Sequence, residues 1–185
     1  MNRGVVLAIV FSVGWLPLHL FRAESVSAAL PFYRPRERRW VHAIIALLIV
    51  HVSAACLTLT LRAPPPLSRC VLAATTFVAG IGFWLWGRVL IGPLRTPRLP
   101  NEPPHALRCD GAFGWVRHPL YFGVLVAASA PLIATLRVEI AVTFVLAAIA
   151  VVARAQQEEH RLRAQLGAQY DAYCAQVKRL IPFVW

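Results

Sequence analysis

Acidic residues are scarce in this chain: eight Asp and Glu stand against nineteen Lys and Arg, for a formal net charge of +11. Cysteine is scarce too. Cys56, Cys70, Cys109 and Cys174 form no CxxC pair and no zinc-like spacing, which argues against a disulfide framework and a structural zinc site. They read as small apolar fillers, and no metal is expected. Alternating barrel-strand patterns are lacking, because the apolar runs are too long and too uniform. What fills the chain is 58% hydrophobic residue, above the roughly 45–50% of a soluble domain.

Those residues are blocked into runs, and lipid admits only helices or closed barrels as spanning structures. An all-α integral membrane protein follows, as one domain over 1–185. The basic residues flank the apolar runs. They therefore read as topology determinants and contacts to membrane lipids rather than as a nucleic-acid surface.

The first run extends from Val5 to Phe21, with Pro17 as a kink. Its length favours a retained helix. A signal peptide is the rival, with Arg3 as its basic start and Ser25-Val26-Ser27 as a weak cleavage-like site. The second run is Trp40–Leu61, stopped by Pro64-Pro65-Pro66. The third is Cys70–Ile91, and Phe83, Trp84 and Trp86 near its end read as an interfacial belt. A Pro-rich cytosolic loop covers 92–119. Runs four (Leu120–Leu136) and five (Glu139–Ala153) are short for the ~20 residues of a full crossing, and their tight connection at Arg137-Val138 makes 120–153 a helical hairpin. A cytosolic cap occupies 154–185.

Placing the 92–119 loop inside puts fifteen of the nineteen Lys and Arg on the cytosolic side. Only Arg3, Arg62, Arg69 and Arg137 fall outside. About five spans, with the N-terminus outside and the C-terminus in the cytosol, satisfy the positive-inside rule; four spans would change only the N-terminus. The expected location is a bacterial inner membrane.

Three clusters carry possible chemistry. In the first, Arg117 and His118 precede Pro119, a favourable first helical residue. The start of that helix suits a carboxylate or phosphate, although flanking cations also serve as plain headgroup anchors. In the second, Glu158 and Glu159 directly follow an apolar span. They can bind a cation or hydroxyls, or simply pair locally, Arg154 with Glu158 and Glu159 with Arg163. The third, Leu162, Leu166, Tyr170, Tyr173, Val177 and Leu180, forms one amphipathic face. Gly167 interrupts it, so two short helices are expected.

Taken in order, Arg117-His118-Pro119-Leu120-Tyr121-Phe122-Gly123, Glu158-Glu159 and Leu166-Gly167-x-x-Tyr170-x-x-Tyr173-x-x-x-Val177-x-Arg179-x-x-Pro182 resemble one membrane family. It is the isoprenylcysteine carboxyl methyltransferase family, with its bacterial relatives and the phospholipid N-methyltransferases. The resemblance covers residues 80–182.

It implies an S-adenosylmethionine-dependent methyltransferase acting on a lipophilic acceptor drawn from the bilayer. The implied cofactor residues are Arg117, His118, Pro119, Tyr121, Gly123, Glu158 and Glu159. Gly80 and Gly82 join them, since Gly80-Ile81-Gly82 is similar to a Gly-x-Gly of the phospholipid enzymes; small residues also serve helix packing. Arg117 or Arg154 would orient a carboxylate acceptor, and His118 would act as base for an amine or thiol. Residues 162–182 read as a lid. Phe113 stands where the family commonly has Tyr, and the N-terminal third carries no match, so the acceptor stays open. The rival activity is an NADPH-dependent membrane reductase of the steroid-reductase type. Paired glutamates argue against it, because a nicotinamide phosphate prefers cations. Oligomeric state is not readable.

Overall fold

Helix boundaries follow the punctuation of the sequence. A computed structural model describes residues 2–15, 35–91, 107 and 109–182. Among them lie α1 (Arg3–Trp15), α2 (Pro35–Leu61), α3 (Leu67–Ile91), α4 (Ala112–Trp115), α5 (Pro119–Thr135), α6 (Val138–Leu166) and α7 (Ala168–Gln176). Proline opens α2 and α5 at the first turn, where its missing N–H costs nothing. The prolines at 64–66 separate α2 from α3, as they cannot continue a helix.

Among the described residues, three helices are long and apolar enough to cross a membrane: Arg39–Leu61, Leu67–Leu90 and Val138–Leu166. The expectation of about five spans is thus met in part. α5, at 17 residues, rises only about 26 Å, short of a ~30 Å hydrocarbon core. α1 is described over Arg3–Trp15; the rest of the first run, and the cleavage-like site at Ser25–Ser27, lie outside the described residues. So do 92–106 and 108 of the loop.

α3 lies along α5 more extensively than any other pair. Glycine makes this possible. A Cβ on Gly80 would overlap the backbone of Ala127, and one on Gly123 would come within 2.6 Å of the Trp84 nitrogen. Small residues let membrane helices approach to backbone contact. Ala127, Ala128, Ala130 and Ala134 continue the buried stripe of α5, and Ala147 and Ala150 do the same on α6. Trp84 sits inside this core at 6% exposure, facing α5 rather than a lipid belt. Phe83 instead meets Phe122 at 4.8 Å and Trp86 at 5.5 Å.

α5 and α6 form an antiparallel hairpin. Leu136 turns in the left-handed region (φ 49°) and donates its N–H to the Leu132 carbonyl at 2.8 Å. Arg137 is extended and α6 begins at once. Deep in the bundle His51 of α2 is fully buried. Its Nε2 donates to the Ala128 carbonyl (2.9 Å), and its Nδ1 lies 2.8 Å from Thr143 Oγ1. One imidazole thereby ties α2 to both arms of the hairpin and satisfies its own polar atoms in an apolar interior.

The fifth run does not stop at Ala153. α6 continues unbroken through the polar stretch to Leu166, because Gln, Glu, Arg, Ala and Leu are all good helix formers. Gly167, at φ 53°, makes the break that admits α7.

Candidate functional site

The antiparallel hairpin puts the start of α5 and the extension of α6 on one face. Beneath them the chain folds back. After α7 it runs extended beside the segment preceding α5. Val116 and Lys178 form an isolated parallel bridge; the Arg117 N–H donates to the Lys178 carbonyl (2.8 Å) and the His118 N–H to the Arg179 carbonyl (3.2 Å). Residues 177–180 are therefore a strap held by main-chain bonds against 116–118.

α7 seats the strap. Tyr170 and Tyr173 are buried with Val177 against Leu107, Leu162 and Leu166. The Tyr173 hydroxyl donates to the Phe113 carbonyl at 2.6 Å, fastening α7 to α4. Burial pushes the Tyr173 phenol well above its ordinary value, so it stays a donor.

At the centre sits Glu159, only 1% exposed. Its Oε1 accepts from Arg117 Nε at 3.0 Å and lies 2.9 Å from Arg117 Nη2. Arg179 donates to both oxygens, Nε to Oε1 at 3.0 Å and Nη2 to Oε2 at 2.8 Å. His118 Nε2 adds a contact at 3.3 Å. Burial, the largest single influence, pushes the carboxyl pKa up. Hydrogen bonds from His118, Arg179 and Arg117 together outweigh it and hold the group well below the ordinary carboxylate range. Glu159 is an anion inside a cage of cations.

Glu158 has a different environment. Its side chain is 32% exposed; His118 Nδ1 lies 3.7 Å from Oε2 and Arg154 Nη2 lies 3.6 Å from Oε1. The His118 ring stacks on Tyr121 at 5.6 Å between centroids. Arg154, from the last apolar turn, is 1% exposed.

The structure thus gathers Arg117, His118, Arg154, Glu158 and Glu159 at one point, with Pro119 beginning α5 there and Tyr121 alongside. Gly80 and Gly123 meet each other in the α3–α5 contact. Gly82 is not brought to the cluster. It lines an apolar groove of about 550 Å³ between α1 and α3, with Val10, Val13, Phe77 and Ile81. Local pairing holds for Arg154 with Glu158 but not for Glu159 with Arg163. Glu159 turns inward, and Arg163 instead meets Asp171 of α7 at 3.1 Å. Arg179 belongs to the cluster although sequence reasoning left it in the lid. The signal was its inclusion in the family-like Val177-x-Arg179-x-x-Pro182 pattern.

The residues of this cluster on α5 and α6 fall inside a region, 72–164, that matches the family model for isoprenylcysteine carboxyl methyltransferases. The match runs from α3 into the extension of α6 and spans half of the chain. The chain belongs to that family. It is therefore an integral membrane protein of a methyltransferase family, and the match lends no support to the reductase alternative. A search of curated proteins finds no match. Family membership covers the hairpin and both glutamates; α7 and the strap lie beyond the matched region.

Proposed function

We propose that the protein transfers a methyl group from S-adenosylmethionine to a lipophilic acceptor at the cytosolic membrane face. The observation that carries this reading is the Arg117–His118–Glu158–Glu159 cluster, built from distant positions inside the family-matched hairpin. S-adenosylmethionine, when bound, supplies an electrophilic methyl on a sulfonium. The donor set suits such a group. Glu158 offers a carboxylate to an amine or ribose hydroxyls, and the His118–Tyr121 stack offers aromatic surface to an adenine or a cation.

Methyl transfer is an in-line displacement, so positioning and exclusion of water supply most of the acceleration. The strap and α7 cover Glu159 and keep water from it, while Glu158 stays partly open. Arg154, buried beside Glu158, orients an anionic acceptor that arrives from the bilayer. For a carboxylate acceptor no base is required. For an amine or thiol, His118 Nδ1 takes the proton, with Glu159 holding the ring through Nε2. The orientation follows the charge pattern, N-terminus outside and C-terminus in the cytosol of a bacterial inner membrane.

Titration of the detergent-purified protein with S-adenosylmethionine in a calorimeter tests the reading. Saturable heat is expected, and its absence at millimolar cofactor contradicts it.

A further inference from the structure

Two adjacent glutamates sit in one cluster and both lie near His118, yet their surroundings differ. Five donor atoms surround Glu159: Nε and Nη2 of Arg117, Nε and Nη2 of Arg179, and Nε2 of His118. Four of them converge on Oε1 and Arg179 Nη2 takes Oε2, and with the residue only 1% exposed a ligand has no open approach to this carboxylate. Arg117 is equally committed. Besides its two contacts to Glu159, its Nη1 donates to the carbonyls of Val177 (2.6 Å) and Cys174 (3.2 Å). Those carbonyls belong to the end of α7 and the start of the strap. Glu159 therefore joins three pieces of chain: the segment before α5, the extension of α6, and the strap through Arg179.

Glu158 shows the reverse. Its nearest basic atoms, Arg154 Nη2 and His118 Nδ1, stand at 3.6 and 3.7 Å, beyond good hydrogen-bond length, and a third of its side chain is open.

We propose that the pair divides the work: Glu159 is a positioning residue that latches the strap through Arg117 and Arg179, and Glu158 is the carboxylate that receives the amine or ribose hydroxyls of S-adenosylmethionine. This assignment rests on the methyltransferase reading for its second half only. The latch stands on contacts within the chain.

The test uses the full-length protein in detergent, with two readouts. One is calorimetric affinity for S-adenosylmethionine. The other is the rate of tryptic cleavage at Lys178 without cofactor, which needs the strap to leave its pairing with 116–118. Glu158→Gln should weaken binding by about 10- to 100-fold, the loss of a charge-assisted hydrogen bond, with cleavage unchanged. Arg179→Gln and Glu159→Gln should each speed cleavage by about tenfold or more. Their double variant should be no faster than the faster single, as expected of partners in one contact. Arg179→Gln carries the latch arm alone if Glu159→Gln does not fold, because Arg117 and His118 still cover Glu159. The division of work is overturned if Glu158→Gln binds as tightly as the parent, if it frees the strap, or if Arg179→Gln leaves cleavage unchanged. A parent protein that binds no cofactor overturns the methyltransferase reading and the Glu158 role, while cleavage still decides the latch.

Discussion

The α3–α5 seam and the Glu159 cluster both engage the α5–α6 hairpin, and they fasten its neighbours to it by opposite means. The seam uses the smallest side chains. Gly80, Gly123 and the alanines of α5 bring backbones into contact, and the attraction is dispersion spread over many atoms. The cluster uses the largest and most charged ones, concentrated on a single carboxylate. The seam tolerates no added atom. The cluster tolerates no lost partner. Their difference shows where the fold is permissive: neither region is, but each fails to its own kind of substitution.

The largest effect should come from deleting the hub. Glu159→Ala leaves Arg117 and Arg179 without their shared anion, and breaking a buried pair typically costs about 3–5 kcal/mol. Thermal unfolding in detergent reads it as a large fall in Tm. The same carboxylate sets an acid limit. Its folded-state pKa lies below the unfolded value of 4.5, so its stabilisation is full above that pH and is lost as pH falls toward the folded-state value. The parent should lose Tm on acidification below about pH 4.5, and Glu159→Gln should lose less over the same interval.

Gly80→Val attacks the seam from the other side, by adding atoms where the Ala127 backbone already sits. Overpacking of this kind costs about 1–3 kcal/mol or more. A seam that accepted valine without loss of folded yield would show the close approach to be dispensable.

Tyr173→Phe removes one bond, to the Phe113 carbonyl. About 1 kcal/mol is expected, with the pairing of 116–118 to the strap still formed. Arg163→Ala should be the smallest, because the Arg163–Asp171 pair is exposed on both sides and such pairs contribute little. An Arg163 effect as large as that of Glu159 would erase the distinction between inward and outward charges.

Apolar runs and proline punctuation were enough to place α2, α3, α5 and the start of α6 within a few residues of their observed limits, whereas the end of α6 at Leu166 lies well past its apolar run. Gly167 as a break was readable because few other residues adopt positive φ. Five members of the cluster were also legible, since Arg117, His118, Arg154 and the two glutamates stood out by charge at the edge of apolar segments; Arg179 was not. Their pairing was not. A sequence offers Glu159 a cation four residues away in Arg163; its actual partners are 42 and 20 residues distant, chosen by how the strap returns. Nor did His51 announce itself. A single histidine within an apolar run carries no local signal, and its partners Ala128 and Thr143 come from two other helices. The lid expected over 162–182 consists of the end of α6, a short helix and a strap, and both α7 and the strap meet Arg117, through the carbonyls of Cys174 and Val177.

One measurement bears most directly on the central claim. Membranes containing the protein, given S-adenosylmethionine labelled on its methyl group, should transfer label into extracted lipid, and membranes with Glu158→Gln at equal protein level should transfer far less. Label absent from every lipid fraction, or transferred equally by the two, would contradict a methyltransferase whose cofactor is held at Glu158.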